Sequence, residues 1–181
     1  MRRPTRLAAI GGIAGPAAFI GAWSILGTRL KHYDPAHDPI SRLAAIGSST
    51  RAPMTAGLVA FSVGLALYAA SAREHLSQRV AALAAVNAVA TLGVAAFPLD
   101  GFGGSIGHAA SAFTGYATLA AMPVVRGGRS EKLLGAAIAA ALVASIVNES
   151  HAGLFQRTGL TLGDAWLIAT SIAILRGRTE P

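Results

Sequence analysis

The sequence lacks cysteine and is poor in charged and aromatic residues. Without cysteine, the chain can form no disulfide, thiolate nucleophile or Cys-ligated zinc or iron–sulfur site. Charged residues make up 13% of its 181 positions and aromatic residues 6%, whereas a soluble domain carries about 25% charged residues. Hydrophobic residues make up 53%, so the composition favours an integral membrane protein.

The apolar runs predict an all-α fold, a polytopic bundle of six transmembrane helices in one domain, residues 1–181. A span needs about 20 apolar residues, although the fifth and sixth runs are shorter. The basic start resembles that of a signal peptide, but the apolar run after it is too long for a cleaved signal, so we expect a retained anchor. The predicted spans are Leu7–Thr28, Ala52–Ser71, Val80–Phe97, Ile106–Val125, Leu133–Val147 and Leu160–Leu175.

The distribution of basic residues predicts the orientation of this bundle. Ten of the 15 Lys and Arg residues lie on the side of the two termini, and five lie on the opposite side. The positive-inside rule therefore predicts that both termini are cytoplasmic, in a bacterial cytoplasmic membrane. The net charge is +7, but the basic residues lie between apolar stretches, so we expect contacts with lipid headgroups and not with nucleic acid.

Ionisable residues are concentrated at the opposite, predicted outer end. Such groups are costly near lipid, so their concentration at one end indicates a function there. They are five of the eight acidic residues and four of the five histidines: Asp34, Asp38, Asp100, Glu149, Asp164, His32, His37, His108 and His151.

The first outer loop is long and carries its own helix signal. Asp38-Pro39 is typical of an N-cap followed by proline at the first helical position. Ile40, Leu43 and Ala44 follow at helical spacing, and Gly47 can end the helix. We predict a short helix at the membrane surface over the bundle, and capping alone would explain Asp38.

Three outer connections supply candidate catalytic residues: Ser41, Asp100, His108, Glu149 and His151. Carboxylates and imidazoles are the side chains that most often perform acid–base catalysis. Each also has a simpler interpretation. Asp100-Gly101 is an ordinary turn pair, His108 lies in the first turn of a span, and Glu149 is a possible solvated helix end.

We assign substrate binding to Asp38, Gln156, Asp164 and Trp166. Asp164 lies about one turn into the sixth predicted span, where a carboxylate needs a partner. Arg157 is the nearby candidate, so a structural ion pair is the alternative interpretation of Asp164. Trp166 is also of the type that anchors a helix at the membrane interface.

Familiar catalytic motifs are missing. The chain has no GxSxG elbow, no HExxH and no GxxxxGK[ST] loop. A set of Ser41, Asp100, His108 and His151 is similar to the residues of the CREST membrane hydrolases, but their paired HxxxH is absent. We predict no cofactor, with zinc as the minor alternative, since three neutral histidines can form a site with one open position.

The sequence resembles the bacterial membrane family called domain of unknown function 998, over nearly the whole chain. The resemblance rests on short motifs in a fixed order. They are Gly15-Pro16 with Phe19, Tyr33-Asp34-Pro35, Ile40-Ser41-Arg42-Leu43, Met54 with Gly57, Phe97-Pro98-Leu99-Asp100 before His108, and Gly153-Leu154 with Gln156-Arg157 before Trp166. It implies a six-helix membrane protein and no settled activity. A more distant likeness is to the Frag1/DRAM/Sfk1 group.

Two functions of different class fit these residues. One is an enzyme that uses acid–base chemistry at the outer face to hydrolyse, isomerise or cyclise a lipid-like or isoprenoid-like molecule. It predicts an apolar cavity under the loops, with Asp100, His108 and Glu149 within hydrogen-bond reach. The other is a non-catalytic lipid-binding, assembly or transport protein, in which each charge is paired or solvated and no cavity forms. Transport is disfavoured because no predicted span carries a charge at its middle.

Overall fold

The computed structural model describes residues 3–100 and 104–178, with side chains from Thr5 onward. This part of the chain is helical, without strands, which confirms the all-α prediction. The α-helices are α1 (Arg3–Leu7), α2 (Gly11–Gly27), α3 (Arg51–His75), α4 (Gln78–Ala96), α5 (Ile106–Arg126), α6 (Arg129–Val147) and α7 (Ala152–Leu175). Three 3-10 helices lie between them, at Ala8–Ile10, Ile40–Ala44 and Glu149–His151.

Five segments among the described residues are long and apolar enough to cross a membrane, as expected of an integral membrane protein. They are Thr5–Gly27, Arg51–His75, Gln78–Ala96, Arg129–Val147 and Glu149–Leu175. Helix α5 has 21 residues but is not among the five, so the sixth span stays a prediction. Its polar residues, which include His108 and Tyr116, lower its mean hydropathy.

The last helix begins earlier than the sequence predicted. We expected a span from Leu160, but α7 starts at Ala152 and runs for 24 residues. The polar side chains of Gln156 and Arg157 predict a loop before that span. These two residues are helical because their side chains bind the neighbouring loop and the interior of the bundle, as described below.

Consecutive long helices pack side by side along the chain and define two ends of the bundle. The loop end comprises the connections 28–50, 97–105 and 148–151. The termini end comprises the two-residue connections 76–77 and 127–128 together with the start of α1 and the end of α7. Arg6 Nε donates to the carbonyl of Ile174 at 3.0 Å, which holds the first and last helices together there.

Glycines allow α2 and α3 to approach closely. A Cβ on Gly64 would lie 2.5 Å from the carbonyl oxygen of Gly11 and 2.7 Å from Cα of Gly15. Gly11 and Gly15 are four residues apart and both are buried, which is the small-xxx-small spacing that brings helices together in membranes. This close packing holds α2 against α3.

The first loop folds onto the bundle through the 3-10 helix Ile40–Ala44. Ile40, Leu43 and Ala44 are buried, so the predicted short helix exists but in 3-10 form. The predicted capping role of Asp38 is wrong, because the N-cap residue is Pro39 and makes no side-chain cap. The Asp38 carboxylate instead accepts from the Asp34 amide and pairs with Arg42, and these partners occupy both of its oxygens.

Candidate functional site

An apolar cavity of about 90 Å³ lies beneath the 3-10 helix Ile40–Ala44, at the loop end. Its walls come from α2, α3, α4, α5 and α7, and the 3-10 helix forms its roof. Most lining side chains are apolar, with a few polar groups among them. The lining residues are Phe19, Ile40, Ser41, Met54, Leu58, Phe61, Asn87, Thr91, Val94, His108, Ser111, Ala112, Gly115, Tyr116, Leu119, Gln156 and Leu160.

His108 presents a defined tautomer to this cavity. Ser105 caps α5 by accepting from the amide of His108 at 3.2 Å, which places the imidazole in the first turn. Its Nδ1 lies 2.7 Å from the carbonyl oxygen of Phe97. A carbonyl only accepts, so Nδ1 carries a proton. In the neutral imidazole, Nε2 is therefore the basic atom.

Gln156 links the roof of the cavity to its wall. Its Oε1 accepts from the amide of Ile40 at 2.8 Å, and its Nε2 donates to the hydroxyl of Tyr116. Since this hydroxyl accepts from Gln156, its own proton is available to a ligand in the cavity. Sequence reasoning missed Tyr116. Its signal was its place on the same face of α5 as His108 and Ala112, eight and four residues earlier.

Asn87 and Ser41 occupy opposite parts of the lining. Asn87 Nδ2 donates to the carbonyl of Gly115 at 2.6 Å and to Thr118 Oγ1 at 2.9 Å. This amide joins α4 to α5, so it serves helix packing. Ser41 lies in the roof and is half-buried. Its hydroxyl is therefore the one aliphatic alcohol of the roof segment that borders the cavity.

Arg157 fastens the first loop to α7 from a buried position. Its Nη1 donates to the carbonyls of Pro35 at 2.6 Å, Asp38 at 2.9 Å and Gly153 at 2.9 Å. Its Nη2 donates to the Tyr33 hydroxyl. The guanidinium also lies 5.4 Å from the ring centroid of Trp23 and 5.5 Å from that of Tyr33, within cation–π range. One side chain therefore holds the segment that leads to the roof.

Asp38 strengthens the same loop by bonds inside it. Its carboxylate accepts from the amide of Asp34 at 2.8 Å and pairs with Arg42 at 2.5 Å. Burial opposes ionisation of Asp38, but the hydrogen bonds from Arg42 and the Asp34 amide outweigh it, so the pKa of Asp38 lies below its usual value. Burial raises the pKa of the neighbouring Tyr33 despite the nearby Arg157 charge. At neutral pH the loop therefore holds an ionised Asp38 and a neutral Tyr33.

A family model described as "Protein of unknown function (DUF998)" matches residues 13–173. The chain belongs to this family. This match confirms the resemblance noted from the sequence. All the residues that line the cavity lie within the matched region. No curated protein and no solved structure matches the chain.

The predicted catalytic residues do not all meet at the cavity. Ser41 and His108 line it, whereas Glu149 and His151 are exposed on the connection before α7. Asp100 is exposed next to residues 101–103, which lie outside the described part with the predicted turn glycine Gly101. The Nδ1 of His108 lies 2.7 Å from the main-chain carbonyl oxygen of Phe97. Ser41 and His108 are thus the two of the five that line the cavity.

Three predictions that concern α7 are wrong. Asp164 and Arg157 form no ion pair, since Arg157 binds carbonyls and both Asp164 oxygens are buried without a partner among the described residues. Because α7 begins at Ala152, Asp164 lies near the middle of the helix, which also overturns the expectation that no span carries a charge at its middle. Trp166 is buried and donates to Glu131 near the termini end, so it is not an outer interface anchor.

Of the other predicted binding residues, Gln156 lines the cavity and Asp38 lies in the loop outside the lining. The zinc alternative finds no ligand set, because residues 3–100 and 104–178 hold no group of three His, Asp or Glu placed to bind a metal ion. The polar groups that line the cavity are the imidazole of His108, the aliphatic and phenolic hydroxyls, and the amides of Asn87 and Gln156.

Proposed function

We propose that the chain is an integral membrane enzyme that acts on a lipid-like or isoprenoid-like molecule, with His108 as its general base. The observation that carries the proposal is the buried imidazole of His108, which lines an apolar cavity and whose Nδ1 binds the carbonyl oxygen of Phe97. Apolar walls bind an apolar chain, and a few fixed polar groups orient it, as in other small-molecule sites.

The polar groups have distinct roles in this proposal. Nε2 of His108 takes a proton either from water, for hydrolysis, or from carbon, for isomerisation or cyclisation. The Tyr116 hydroxyl donates a hydrogen bond to an oxygen of the substrate, and Gln156 fixes the position of that hydroxyl. Ser41 contributes from the roof. Asp100, Glu149 and His151 lie outside the lining and would meet only a polar head group that projects into solvent.

Opening of the roof is part of the proposal. A cavity of about 90 Å³ is smaller than the roughly 300–1,000 Å³ of most ligand pockets, so it admits only a narrow part of a substrate. The roof is held by Gln156 through Ile40 and by Arg157 through the segment before it. Movement of residues 33–44 would widen the site toward the loop end.

The position in the membrane is also proposed. We infer that α5 is the sixth span, that the 3-10 helix Ile40–Ala44 lies at the membrane surface, and that both termini face the bacterial cytoplasm. The absence of cysteine makes single-cysteine labelling direct. Ser49→Cys at the loop end should react with an impermeant thiol reagent applied to intact cells, and Ser130→Cys at the termini end should not. The opposite pattern would reverse the orientation.

Enzymatic activity is tested with purified protein incubated with membrane-lipid and isoprenoid extracts. His108→Ala should lower product formation by about 100-fold or more, because general acid–base catalysis contributes roughly 10²–10⁴-fold. His151→Ala is the matched control, since that imidazole is exposed and outside the lining. If the His108→Ala product profile equals that of the parent, the catalytic proposal is wrong.

A second candidate is a non-catalytic protein that binds or carries a lipid. It is favoured by the exposure of Glu149 and His151, since two of the ionisable groups at the loop end are then simply solvated. Under this alternative the same extracts would yield a bound molecule recovered chemically unchanged, and His108→Ala would alter its affinity without altering any product.

A further inference from the structure

Asp164 is a buried carboxyl group in the middle of α7. It is 1% exposed, and neither carboxyl oxygen has a hydrogen-bond partner among the described residues. It lies twelve residues after Ala152, or about 18 Å along the helix at 1.5 Å per residue. Intramembrane carboxyl groups without a partner are expensive, and they more often mark functional sites than packing.

Helical spacing places Asp164 next to the cavity. Leu160, which lines the cavity, is one turn away on the same face of α7. Ser171, two turns from Asp164 in the other direction, contacts α2 so closely that a Cβ on Gly12 would collide with its Oγ. Since α2 and α7 run in opposite directions, Asp164 lies level with Phe19 of α2, which also lines the cavity. Asp164 therefore lies level with Phe19 and one turn from Leu160, both of which line the cavity.

No protein charge is available to balance an ionised Asp164. Helix α2 carries no charged or titratable residue between Gly11 and Gly27. Arg157 on α7 is two turns away and binds carbonyls. The charged residues of α6 are all in its first turn. On α5 the titratable groups are His108 and Tyr116 toward the loop end and Arg126 at the last residue, and on α3 they are Tyr68, bound to Thr170, and the groups near its two ends.

A buried carboxylate without a counter-charge is neutralised by a proton or by a bound cation. A metal cation needs several oxygen or nitrogen ligands, and no such group exists among the described residues. A single carboxyl group is sufficient to bind a proton. The neutral acid is therefore the state that this surrounding favours.

We propose that Asp164 is a proton-binding site that exchanges its proton with the cavity and offers it, as a hydrogen-bond and proton donor, to an acceptor atom of the cavity ligand. The existence of that ligand rests on the proposed function. With it, the cavity has an acid next to it and the Nε2 base of His108 in its wall. Asp164 gives a proton to the ligand, and the ligand gives a proton to Nε2 of His108. Water then carries the proton from Nε2 back to the Asp164 carboxylate.

Infrared spectroscopy of the full chain in lipid tests this site without any substrate. At neutral pH the parent protein should show the carbonyl band of a protonated carboxylic acid, and Asp164→Asn should lose it. Asp38→Asn is the matched control, since Asp38 is paired with Arg42, and it should keep the band. Transfer to heavy water should shift the band, because the proton exchanges. Absence of the band, its survival in Asp164→Asn, or a band that heavy water never shifts would each overturn the proposal.

A second measurement on the unsubstituted chain serves if Asp164→Asn does not fold. An apolar carbodiimide adds to protonated carboxylic acids in membranes, and peptide mass analysis should find the adduct at Asp164. No adduct there would contradict an exchangeable acid. The band and adduct do not depend on His108→Ala kinetics, so a failed enzyme proposal and a failed Asp164 proposal give different results.

Discussion

The two ends of the bundle are held together in different ways. At the termini end, successive helices are joined by two residues and stabilised locally. Ser77 caps α4 by accepting from Val80, and Arg126 pairs with Glu131 across the α5–α6 turn. At the loop end the long connection 28–50 is instead held by another helix, because Arg157 of α7 binds Pro35 and Asp38, and Gln156 of α7 binds Ile40.

This difference indicates where the protein uses its polar side chains. A short connection between two helices needs only a helix cap and an ion pair, and the termini end has both. At the loop end, the buried guanidinium of Arg157 and the half-buried amide of Gln156 hold the roof over the apolar cavity. Burial of polar groups is costly unless they are satisfied, so these bonds are what make a covered cavity possible.

Arg157→Ala should be the most damaging change at the loop end. It leaves the carbonyls of Pro35 and Asp38 without their side-chain donor, and each buried unsatisfied group costs about 1–3 kcal/mol. We expect about 3 kcal/mol lower unfolding free energy and rapid proteolysis within residues 33–44, measured by thermal denaturation and limited digestion. Arg51→Ala removes an exposed guanidinium and serves as the control. Equal behaviour of the two variants would remove the distinction between the ends.

The packing between α2 and α3 should be sensitive in a way that depends on neither end. Gly64→Ala places a Cβ against the backbone of Gly11 and Gly15 and should destabilise the bundle by about 1–3 kcal/mol through overpacking. Gly21→Ala is the control, because nothing lies within 4 Å of its added Cβ. Both are read by thermal denaturation in the same detergent. A neutral Gly64→Ala would contradict the close approach of these helices.

The smallest expected effect is an acid-dependent loosening of the loop end. The pKa of Asp38 is lower in the folded chain than its ordinary value of 3.8, so the ionised carboxylate stabilises the folded state. The stabilisation is present above about pH 4 and is lost as the pH falls through the folded pKa. Proteolysis of residues 33–44 should increase there in the parent and in Glu149→Gln, but Asp38→Asn should show no such step. A step of equal size in Asp38→Asn would assign the loosening to another group.

The sequence predicted the helical bundle because long apolar runs separated by charged turns have few alternatives. It also identified Ser41, His108 and Gln156, which line the cavity, because polar residues next to apolar spans are easy to recognise. It missed the start of α7, since Gln156 and Arg157 look like loop residues when their partners are unknown. It missed the partners of Arg157, which are main-chain carbonyls and leave no mark in the side-chain pattern.

The tautomer of His108 and the isolation of Asp164 were beyond the sequence for a related reason. The first depends on the carbonyl of Phe97 in a connection whose path the sequence does not specify. The second depends on where α7 begins, because a shift of eight residues in the start moves Asp164 from the end of a helix to its middle. The composition of α5 was an unused signal, since this helix is not among the five candidate spans and supplies several of the residues that line the cavity.

Photocrosslinking in native membranes tests most directly whether the cavity is a specific site. A photoreactive amino acid replaces Met54, which is buried in the lining, or Leu133, which is 65% exposed on α6, and the captured molecules are identified by mass spectrometry. The account predicts that position 54 captures one apolar species that bulk lipid does not explain, and that position 133 captures bulk lipid. Capture of nothing at position 54, or of the same mixture at both positions, would contradict it.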